Sequence, residues 1–310
     1  MPLKKHSLTR YAWLSLATAL LTIALKTGAY MLTGSVGMLS DAVESLVNLA
    51  GAVLALIILS IAAQPADEKH PYGHSKAEYF SSAFEGVLII FAAFAIVITA
   101  SIRLFQPHPL EQMGVGLLVS LLASLFNLGT ARILLRAGKQ YESITLEADG
   151  QHLMTDVWTS AGVLGGLACA WLTGWIWLDA VIALLVGLNI FRTGGDILRR
   201  SVDGLMDTVL PAEEMQTIEQ IMNTYREQGI MFHALRARRA ASERFVSVHM
   251  LVPGDWTVHR AHCLAEEFEN AVRAQLKSTS IITHLESLED SRSFHHGTDD
   301  GVRQGERRLL

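Results

Sequence analysis

The stretches SDAVESLVN (residues 40–48) and ADGQHLMTD (residues 148–156) both lie in apolar surroundings, and each carries three polar residues at the same spacing. The triplets are Asp41, Glu44 and Asn48 in the first stretch, and Asp149, His152 and Asp156 in the second. At about 100° per residue, positions i, i+3 and i+7 of a helix form one stripe. Ionisable side chains at membrane depth are costly and mark ion pathways. The two stretches therefore predict a cation-binding site between two membrane helices.

The hydrophobic residues, half of the 310, are concentrated in the first two thirds of the chain. Crossing a bilayer takes about 20 apolar residues in a helix. Six stretches are long enough: Tyr11 to Leu32, Val36 to Ala63, Phe80 to Leu104, Gly114 to Leu135, Ala148 to Trp171, and Trp175 to Leu198. The first is too long for the apolar core of a cleavable signal peptide, so we expect it to be retained. These stretches predict an all-α six-helix transmembrane bundle over residues 1–205.

Basic residues lie before the first predicted span and after the second, fourth and sixth spans, so that every second connection is basic. They are Lys4, Lys5 and Arg10 before the first span, Lys69 and Lys76 after the second, Arg136 and Lys139 after the fourth, and Arg199 and Arg200 after the sixth. Basic residues accumulate in the cytoplasmic loops of membrane proteins. We therefore expect both termini to lie in the cytoplasm.

The chain becomes more polar after Arg200, and its hydrophobic runs become shorter. A helix is expected from Pro211 to Gly229, followed by a hairpin around AASE (240–243), an amphipathic helix in TVHRAHCLAEEFENAVRAQLK (257–277) and a strand in TSIITHLES (279–287). The order αββαβ predicts a small cytoplasmic α+β domain over residues 206–290. The polar, aperiodic residues 291–310 read as a disordered tail.

The two triplets provide four metal ligands of nitrogen and oxygen type. They are Glu44, Asn48, His152 and Asp156, with Asp41 and Asp149 as secondary polar residues. Zn²⁺ accepts such a tetrahedral set, and Fe²⁺, Co²⁺, Ni²⁺, Cd²⁺ and Mn²⁺ remain open. Mg²⁺ and Ca²⁺ would prefer more oxygen atoms and no imidazole. Metal and protons should compete for these ligands, which is the basis of antiport. The alternative is a purely structural pair of polar helices.

Two further clusters could hold metal. Asp67, His70 and His74 surround a turn in the loop between the second and third spans, where a solvated loop with incidental histidines is the alternative. The second set lies in the cytoplasmic domain, where alternation along strands could place its members on one edge. This set comprises His233, His249, His262, His284 and Glu286, and isolated surface histidines are the alternative there.

Several functions are disfavoured by the sequence. The net charge of −5, with no basic helix, argues against nucleic-acid binding. The two cysteines, one in a predicted span, do not suggest a disulfide framework. HExxH is absent and the proposed quartet leaves no open position for a catalytic water, which argues against a metalloenzyme. We interpret Glu85, Asn127 and Asp179 as interhelical or interface-level polar groups rather than as ligands.

On these motifs the chain resembles the cation diffusion facilitator family, in its branch of bacterial zinc and ferrous-iron efflux transporters. The most specific elements are ADxxHxxxD (148–156), LSDAxxSLVN (39–48) and PADxxHxxGHxKAE (65–78), and the resemblance extends from about Ser7 to Glu286. It implies a homodimer in the inner membrane and a ferredoxin-like, metallochaperone-like cytoplasmic domain. It also implies exchange of cytoplasmic metal for external protons.

The resemblance assigns a role to each cluster. The four proposed ligands from the triplets, Glu44, Asn48, His152 and Asp156, correspond to the transport site. Asp67, His70 and His74 correspond to a loop site. The five cytoplasmic residues correspond to a binuclear site. Lys76 and Asp207 resemble a charge pair that ties the membrane helices to the cytoplasmic domain. The chain departs from the family pattern at Glu44, Asn48 and Glu286, where Asp or His, Asp, and Asp are usual. An asparagine is a weaker ligand and cannot take up a proton.

The sequence therefore predicts a proton-coupled antiporter that exports divalent transition-metal cations from the cytoplasm, with zinc favoured. Metal ions would serve as substrate and as regulator, and no organic cofactor is expected. The expected partners are a second copy of the chain, membrane lipid and protons as counter-ion. The rival hypothesis is a membrane metal sensor or scaffold that has kept the fold and lost transport, which Asn48 makes plausible.

Overall fold

The computed structural model describes residues 8–33, 36–105, 115–173, 175 and 177–294. The chain divides between Met206 and Asp207 into two compact units. The first unit consists of helices, and the second combines two helices with a three-stranded sheet. This is the predicted fold class, a helical membrane region followed by a small α+β domain.

Six long helices make up the first unit, and each predicted span corresponds to one of them. They are α1 (Thr9–Thr33), α2 (Val36–Ala62), α3 (Ala77–Phe105), α4 (Val115–Tyr141), α5 (Ile144–Thr173) and α6 (Trp177–Leu205). Among the described residues, four stretches are long and apolar enough to cross a membrane: Thr9–Met31, Ala77–Ile102, Leu118–Tyr141 and Ala180–Leu205. In α2, the described apolar segment Asn48–Ala62 is shorter.

Two helices, α5 and α6, extend well beyond the apolar stretches that predict them. The helix α5 begins at Ile144, before the predicted start at Ala148, because the Ser143 hydroxyl accepts a hydrogen bond from the Leu146 amide at 3.4 Å and caps the helix. The helix α6 continues to Leu205 through a charged turn, where Arg199 and Asp203 form an i, i+4 pair. Helix length therefore exceeds the hydrophobic length at the polar ends.

Glycine residues allow α3 and α6 to approach closely. A Cβ atom on Gly86 would lie 3.0 Å from the Leu198 nitrogen, and one on Gly194 would lie 3.0 Å from the Gly86 oxygen. The hydroxyls of Ser82 and Ser201 are hydrogen-bonded at 2.7 Å in the same buried contact. These two helices therefore meet backbone to backbone.

The second unit has the predicted order αββαβ. Its elements are α7 (Ala212–Arg226), β1 (Met231–Ala240), β2 (Glu243–Val252), α8 (Val258–Gln275) and β3 (Thr279–Ser287). The strand β2 lies in the centre of the sheet, antiparallel to β1 and parallel to β3. The helices bury Ile218, Met222 and Phe268 against Val248 and Met250 of β2. This core holds the sheet that carries the predicted cytoplasmic cluster.

The structure describes the first four residues of the predicted tail. Ser291–Phe294 forms a short 3₁₀ helix. The Asp290 carboxylate accepts a hydrogen bond from the Arg292 amide at 2.9 Å, and the buried Ser293 hydroxyl donates to the Ser287 carbonyl at 2.9 Å. These local hydrogen bonds order a segment that has no apolar periodicity. Residues 295–310 lie outside the described part of the chain.

Candidate metal centres

The structure brings three of the four predicted transport-site residues into direct contact. Asn48 of α2 lies between His152 and Asp156 of α5, and all three side chains are buried. The Asn48 amide donates from Nδ2 to Oδ2 of Asp156 at 2.7 Å. Its Oδ1 lies 2.6 Å from Nε2 of His152. An imidazole nitrogen, an amide oxygen and a carboxylate therefore converge at one point between the two helices.

Asn127 of α4 is a second amide at this point. Its Nδ2 donates to the same Oδ2 of Asp156 at 2.8 Å, and Asn127 is buried. The sequence reading of Asn127 as an interhelical hydrogen-bonding group agrees with this contact. The carboxylate of Asp156 is thus held by amides from two neighbouring helices.

The remaining members of the triplets are placed differently. Glu44 and Asp41 lie in α2, but their side chains are outside the described part of the structure. Asp149 is buried one turn before His152, and its Oδ1 accepts a hydrogen bond from the Ser15 hydroxyl of α1 at 3.0 Å. Among the described residues, Oδ2 of Asp149 has no hydrogen-bond partner. Asp149 therefore joins α1 to α5 and leaves one oxygen available.

Glu85 of α3 also lies at this site. The sequence predicts an interhelical or interface-level polar group at this position and no specific function. Its side chain is 0% exposed, and its Oε2 lies 3.2 Å from Nδ1 of His152. Gly51 of α2 provides the necessary space, because a Cβ atom there would overlap the Glu85 carboxylate. The sequence signal was a single carboxylate inside the apolar run FEGVLII (84–90). The side chain of Asp179, the third such outlier, is not described.

The structure places the three residues of the predicted loop cluster close together. Oδ1 of Asp67 lies 3.3 Å from Nδ1 of His70, and Oδ2 of Asp67 lies 3.5 Å from Nε2 of His74. The two imidazoles are 3.1 Å apart at their nearest nitrogens, in a turn where Gly73 has a φ of 81°. Hydrogen bonds from the backbone amides of His70 and Lys69 lower the pKa of Asp67. Three ligand atoms within 4.8 Å of one another could hold a metal ion.

The cytoplasmic cluster is built by the register of the sheet. His233, His249 and His284 are cross-strand neighbours in β1, β2 and β3. Oε2 of Glu286 lies 2.7 Å from Nε2 of His233, and Oε1 lies 3.0 Å from Nδ1 of His249. His284 lies 3.7 Å from the same carboxylate and is mostly exposed. His233, His249 and Glu286 therefore form a compact set that could hold a metal ion.

Partial burial and charge adjust the protonation of this cluster. Desolvation lowers the pKa of His249, although the facing Glu286 opposes this effect. Desolvation acts to raise the pKa of Glu286, but the hydrogen bond from His233 and the charge of His249 outweigh it, so this pKa is lowered. A neutral imidazole beside an ionised carboxylate is the protonation state that binds metal.

Two further predicted residues, His262 and Asp207, belong to the cytoplasmic unit. His262 lies exposed on α8 beside His259 and Cys263, and within the described ranges it makes no hydrogen bond or ion pair with the cluster. The physical reason is that the packed face of α8 presents Ala261, Ala265 and Phe268. Asp207 accepts a hydrogen bond from Arg238 of its own unit at 3.0 Å. Its pairing with Lys76 stays a prediction.

The comparison with protein families matches this architecture over nearly the whole chain. Residues 12–206 match the cation efflux transmembrane domain, and residues 210–288 match the cation efflux protein cytoplasmic domain. The chain belongs to the cation diffusion facilitator family. It is therefore a membrane-embedded cation transporter and not an enzyme, and its cytoplasmic domain is the dimerisation domain of the family, which supports a homodimer.

Two curated members of the cation diffusion facilitator family are similar over most of their length. The transporter sll1263 of Synechocystis is 51% identical over 286 residues, which cover 92% of each chain. The cation-efflux pump FieF of Klebsiella pneumoniae is 32% identical over 271 residues, 87% of this chain and 89% of that protein. A solved structure of the zinc transporter CzrB, in its zinc form, covers 26% of this chain and 91% of that one, with 30% identity and a TM-score of 0.25.

Proposed function

We propose that this chain is a proton-coupled antiporter that exports divalent transition-metal cations from the cytoplasm, with Zn²⁺ as the favoured substrate. The observation that carries the proposal is the buried contact of Asn48 with His152 and Asp156 between α2 and α5. Buried polar groups at membrane depth mark ion pathways. The similarity to cation-efflux pumps named FieF supports the export of metal ions.

The hydrogen bonds at the site explain why metal and protons should compete. Because Nδ2 of Asn48 donates to Asp156, its Oδ1 must accept, and Nε2 of His152 must carry a proton to donate to it. A metal ion can bind Nε2 only through its lone pair. Metal loading therefore has to remove or move that proton, and metal release allows its return. We place Glu44, on the same helix as Asn48, as the fourth ligand.

The ligand chemistry favours zinc and similar ions. An imidazole nitrogen with carboxylate and amide oxygens suits Zn²⁺, while Fe²⁺, Co²⁺, Ni²⁺, Cd²⁺ and Mn²⁺ use the same donors. We further propose that the loop and cytoplasmic clusters bind the same ions, and that the cytoplasmic cluster acts as the regulator.

We propose the inner membrane of a bacterium as the location, with both termini in the cytoplasm. Lys69 and Lys76 lie between α2 and α3, and Arg136 and Lys139 lie near the end of α4. This orientation places all four basic residues on the cytoplasmic side. In the homodimer, metal bound by the cytoplasmic clusters would favour the transport-competent arrangement. We also propose that Lys76 and Asp207 form the charge pair that the family resemblance implies.

Proteoliposomes under a pH gradient test the proposal. Wild-type protein should move Zn²⁺ against the proton flow, and collapsing the pH gradient should stop this transport. The substitutions Asp156→Ala and His152→Ala should abolish it, whereas Glu68→Ala, which removes an exposed loop carboxylate, should not. No flux of Zn²⁺, Fe²⁺, Co²⁺ or Mn²⁺ by the wild type would reject the proposal.

The second candidate function is a metal sensor or scaffold. The observation that favours it is the amide of Asn48, which cannot ionise and which bridges the two proposed ligands of α5. Such a protein would dimerise with Zn²⁺ and transport none. Metal-dependent dimerisation in detergent, together with no flux in vesicles, would select it.

A further inference from the structure

The imidazole of His152 has a different partner on each of its two nitrogens. Nε2 lies 2.6 Å from the amide oxygen of Asn48, inside the proposed transport site. Nδ1 lies 3.2 Å from Oε2 of Glu85, on α3. The ring is therefore held between a proposed ligand and a carboxylate that lies outside the proposed ligand set.

The burial of the Glu85 carboxylate at this position costs folding free energy. Its side chain is 0% exposed, and within the described ranges neither of its oxygens nor Nδ1 of His152 makes a hydrogen bond. A buried carboxylate without hydrogen bonds is strongly destabilising, so its presence calls for a functional explanation. The Oε2 and Nδ1 atoms are near enough for a hydrogen bond but are not aligned for one. A hydrogen bond between them would require a rotation of one of the two side chains.

Metal binding supplies the reason for such a rotation. A neutral imidazole carries one proton, and a metal ion on Nε2 requires that proton to be on Nδ1. The Nδ1–H group then needs an acceptor, because it is buried. Among the described residues, the carboxylate that contacts Nδ1 is that of Glu85. Histidine ligands in metal sites usually donate their second N–H to a carboxylate or carbonyl in this way.

We propose that Glu85 is a positioning residue of the transport site, which accepts a hydrogen bond from Nδ1–H of His152 and so selects the tautomer whose Nε2 binds the metal. This inference rests on the proposed function. Gly51 completes the arrangement, because any side chain at this position of α2 would displace the Glu85 carboxylate. Two helices, α2 and α3, therefore cooperate to orient a ligand on α5.

The test uses the full-length protein in detergent, with the other two clusters disabled by Asp67→Ala and His249→Ala. Zn²⁺ affinity is measured by competition, and the visible absorption of bound Co²⁺ reports the ligand geometry. Glu85→Ala should weaken Zn²⁺ binding about 10- to 100-fold and alter the Co²⁺ spectrum. Glu85→Gln should have a smaller effect, because its amide oxygen still accepts a hydrogen bond. Mn²⁺, which depends less on imidazole, should lose less affinity than Zn²⁺.

A double-substitution cycle separates positioning from packing. In the His152→Ala background, adding Glu85→Ala should change Zn²⁺ affinity by less than roughly twofold, because the residue through which it acts is gone. An equal loss in both backgrounds would overturn the inference, as would wild-type Zn²⁺ affinity and Co²⁺ spectrum in Glu85→Ala. If Glu85→Ala does not fold, Glu85→Gln in the same cycle decides. Full Zn²⁺ affinity in His152→Ala alone would instead overturn the transport site itself.

Discussion

The side-chain amide of Asn48 donates a hydrogen bond to Oδ2 of Asp156 across 2.7 Å, and this bond joins α2 to α5 at the proposed transport site. The same oxygen accepts a second amide hydrogen bond, from Asn127 of α4. One carboxylate therefore connects three helices.

Replacing Asn48 with aspartate should change the metal preference. Asn48→Asp exchanges a neutral ligand for a carboxylate beside Asp156, so the site gains oxygen charge. We expect the transport ratio of Mn²⁺ to Zn²⁺ to rise about tenfold, equivalent to ~1.4 kcal/mol. Competition transport in proteoliposomes measures this ratio. The matched control is Asn127→Asp, which adds the same charge from α4. An equal shift in both variants would show that Asn48 is not a ligand.

Adding one methyl group at Gly51 should disturb the site through Glu85. A Cβ atom there overlaps the Glu85 carboxylate, whereas one on Gly129 of α4 has nothing within 4 Å. We expect Gly51→Ala to destabilise the protein by about 1–3 kcal/mol, as overpacking does, and to reduce transport. Gly129→Ala should be neutral or stabilising. Thermal unfolding and Zn²⁺ flux measure the two effects, and identical behaviour of the variants would contradict the close contact.

The loop cluster should bind metal without being needed for transport. His70→Ala removes one of three ligands that lie within 4.8 Å of one another. The Zn²⁺ stoichiometry of the purified protein should fall by one ion per chain, and the initial transport rate should change little. Glu68→Ala, in the same loop, should leave the stoichiometry unchanged. Loss of transport in His70→Ala alone would instead place this cluster on the ion pathway.

The cytoplasmic cluster should resist protonation near neutral pH. Because desolvation holds the pKa of His249 below its usual 6.5, the unfolded chain binds more protons there than the folded one. His249 should stay neutral at pH 6.5, and its contribution to stability should decrease as the pH falls below that value. Since Glu286 opposes the desolvation effect, Glu286→Gln should lower the pKa of His249 further and also weaken Zn²⁺ binding. NMR titration of labelled histidines, with His259 as the exposed reference, follows both changes.

A partly buried ion pair should hold α7 on the sheet. Nε and Nη2 of Arg244 donate to the two oxygens of Glu214, at 2.8 and 2.6 Å. Glu214→Gln should destabilise the cytoplasmic unit by about 1.5–3 kcal/mol, the range for hydrogen bonds to charged groups. Hydrogen exchange of the α7 amides in the full-length protein should increase accordingly, whereas Glu213→Gln should leave it unchanged.

Acid should imitate the loss of this ion pair. The hydrogen bond from Arg244 lowers the pKa of Glu214 below 4.5. The stabilisation is therefore complete above pH 4.5 and is lost as the pH falls through the lowered value. Exchange in α7 that increases equally with acid in the wild type and in Glu214→Gln would contradict this assignment.

The contacts among the proposed transport-site residues could be predicted in large part because their spacing is local. His152 and Asp156 share a helix face by their i, i+4 spacing, and Asn48 follows from the matching stripe on α2. Glu85 could not be assigned in this way. It lies in an apolar run of α3, and only the packing of α3 against α5 places its carboxylate beside an imidazole.

The cytoplasmic domain shows the same limit. Strand alternation and register bring His233, His249 and Glu286 together, as the sequence suggests. His262 depends instead on the rotation of α8, which is set by the burial of Ala261, Ala265 and Phe268. Helix ends were also missed, because α5 and α6 extend through polar turns that hydropathy cannot recognise.

The close approach at Gly86 and Gly194 packs α3 and α6 directly against each other as one helix pair. Glu85 belongs to this α3–α6 pair, whereas His152 belongs to α5. Their contact therefore lies at the interface between α5 and the pair. A movement of α5 relative to the α3–α6 pair would have to shift this interface. The movement that opens the pathway would then also rotate the imidazole of His152. The affinity of the site for the metal ion would fall during the same movement that releases the ion.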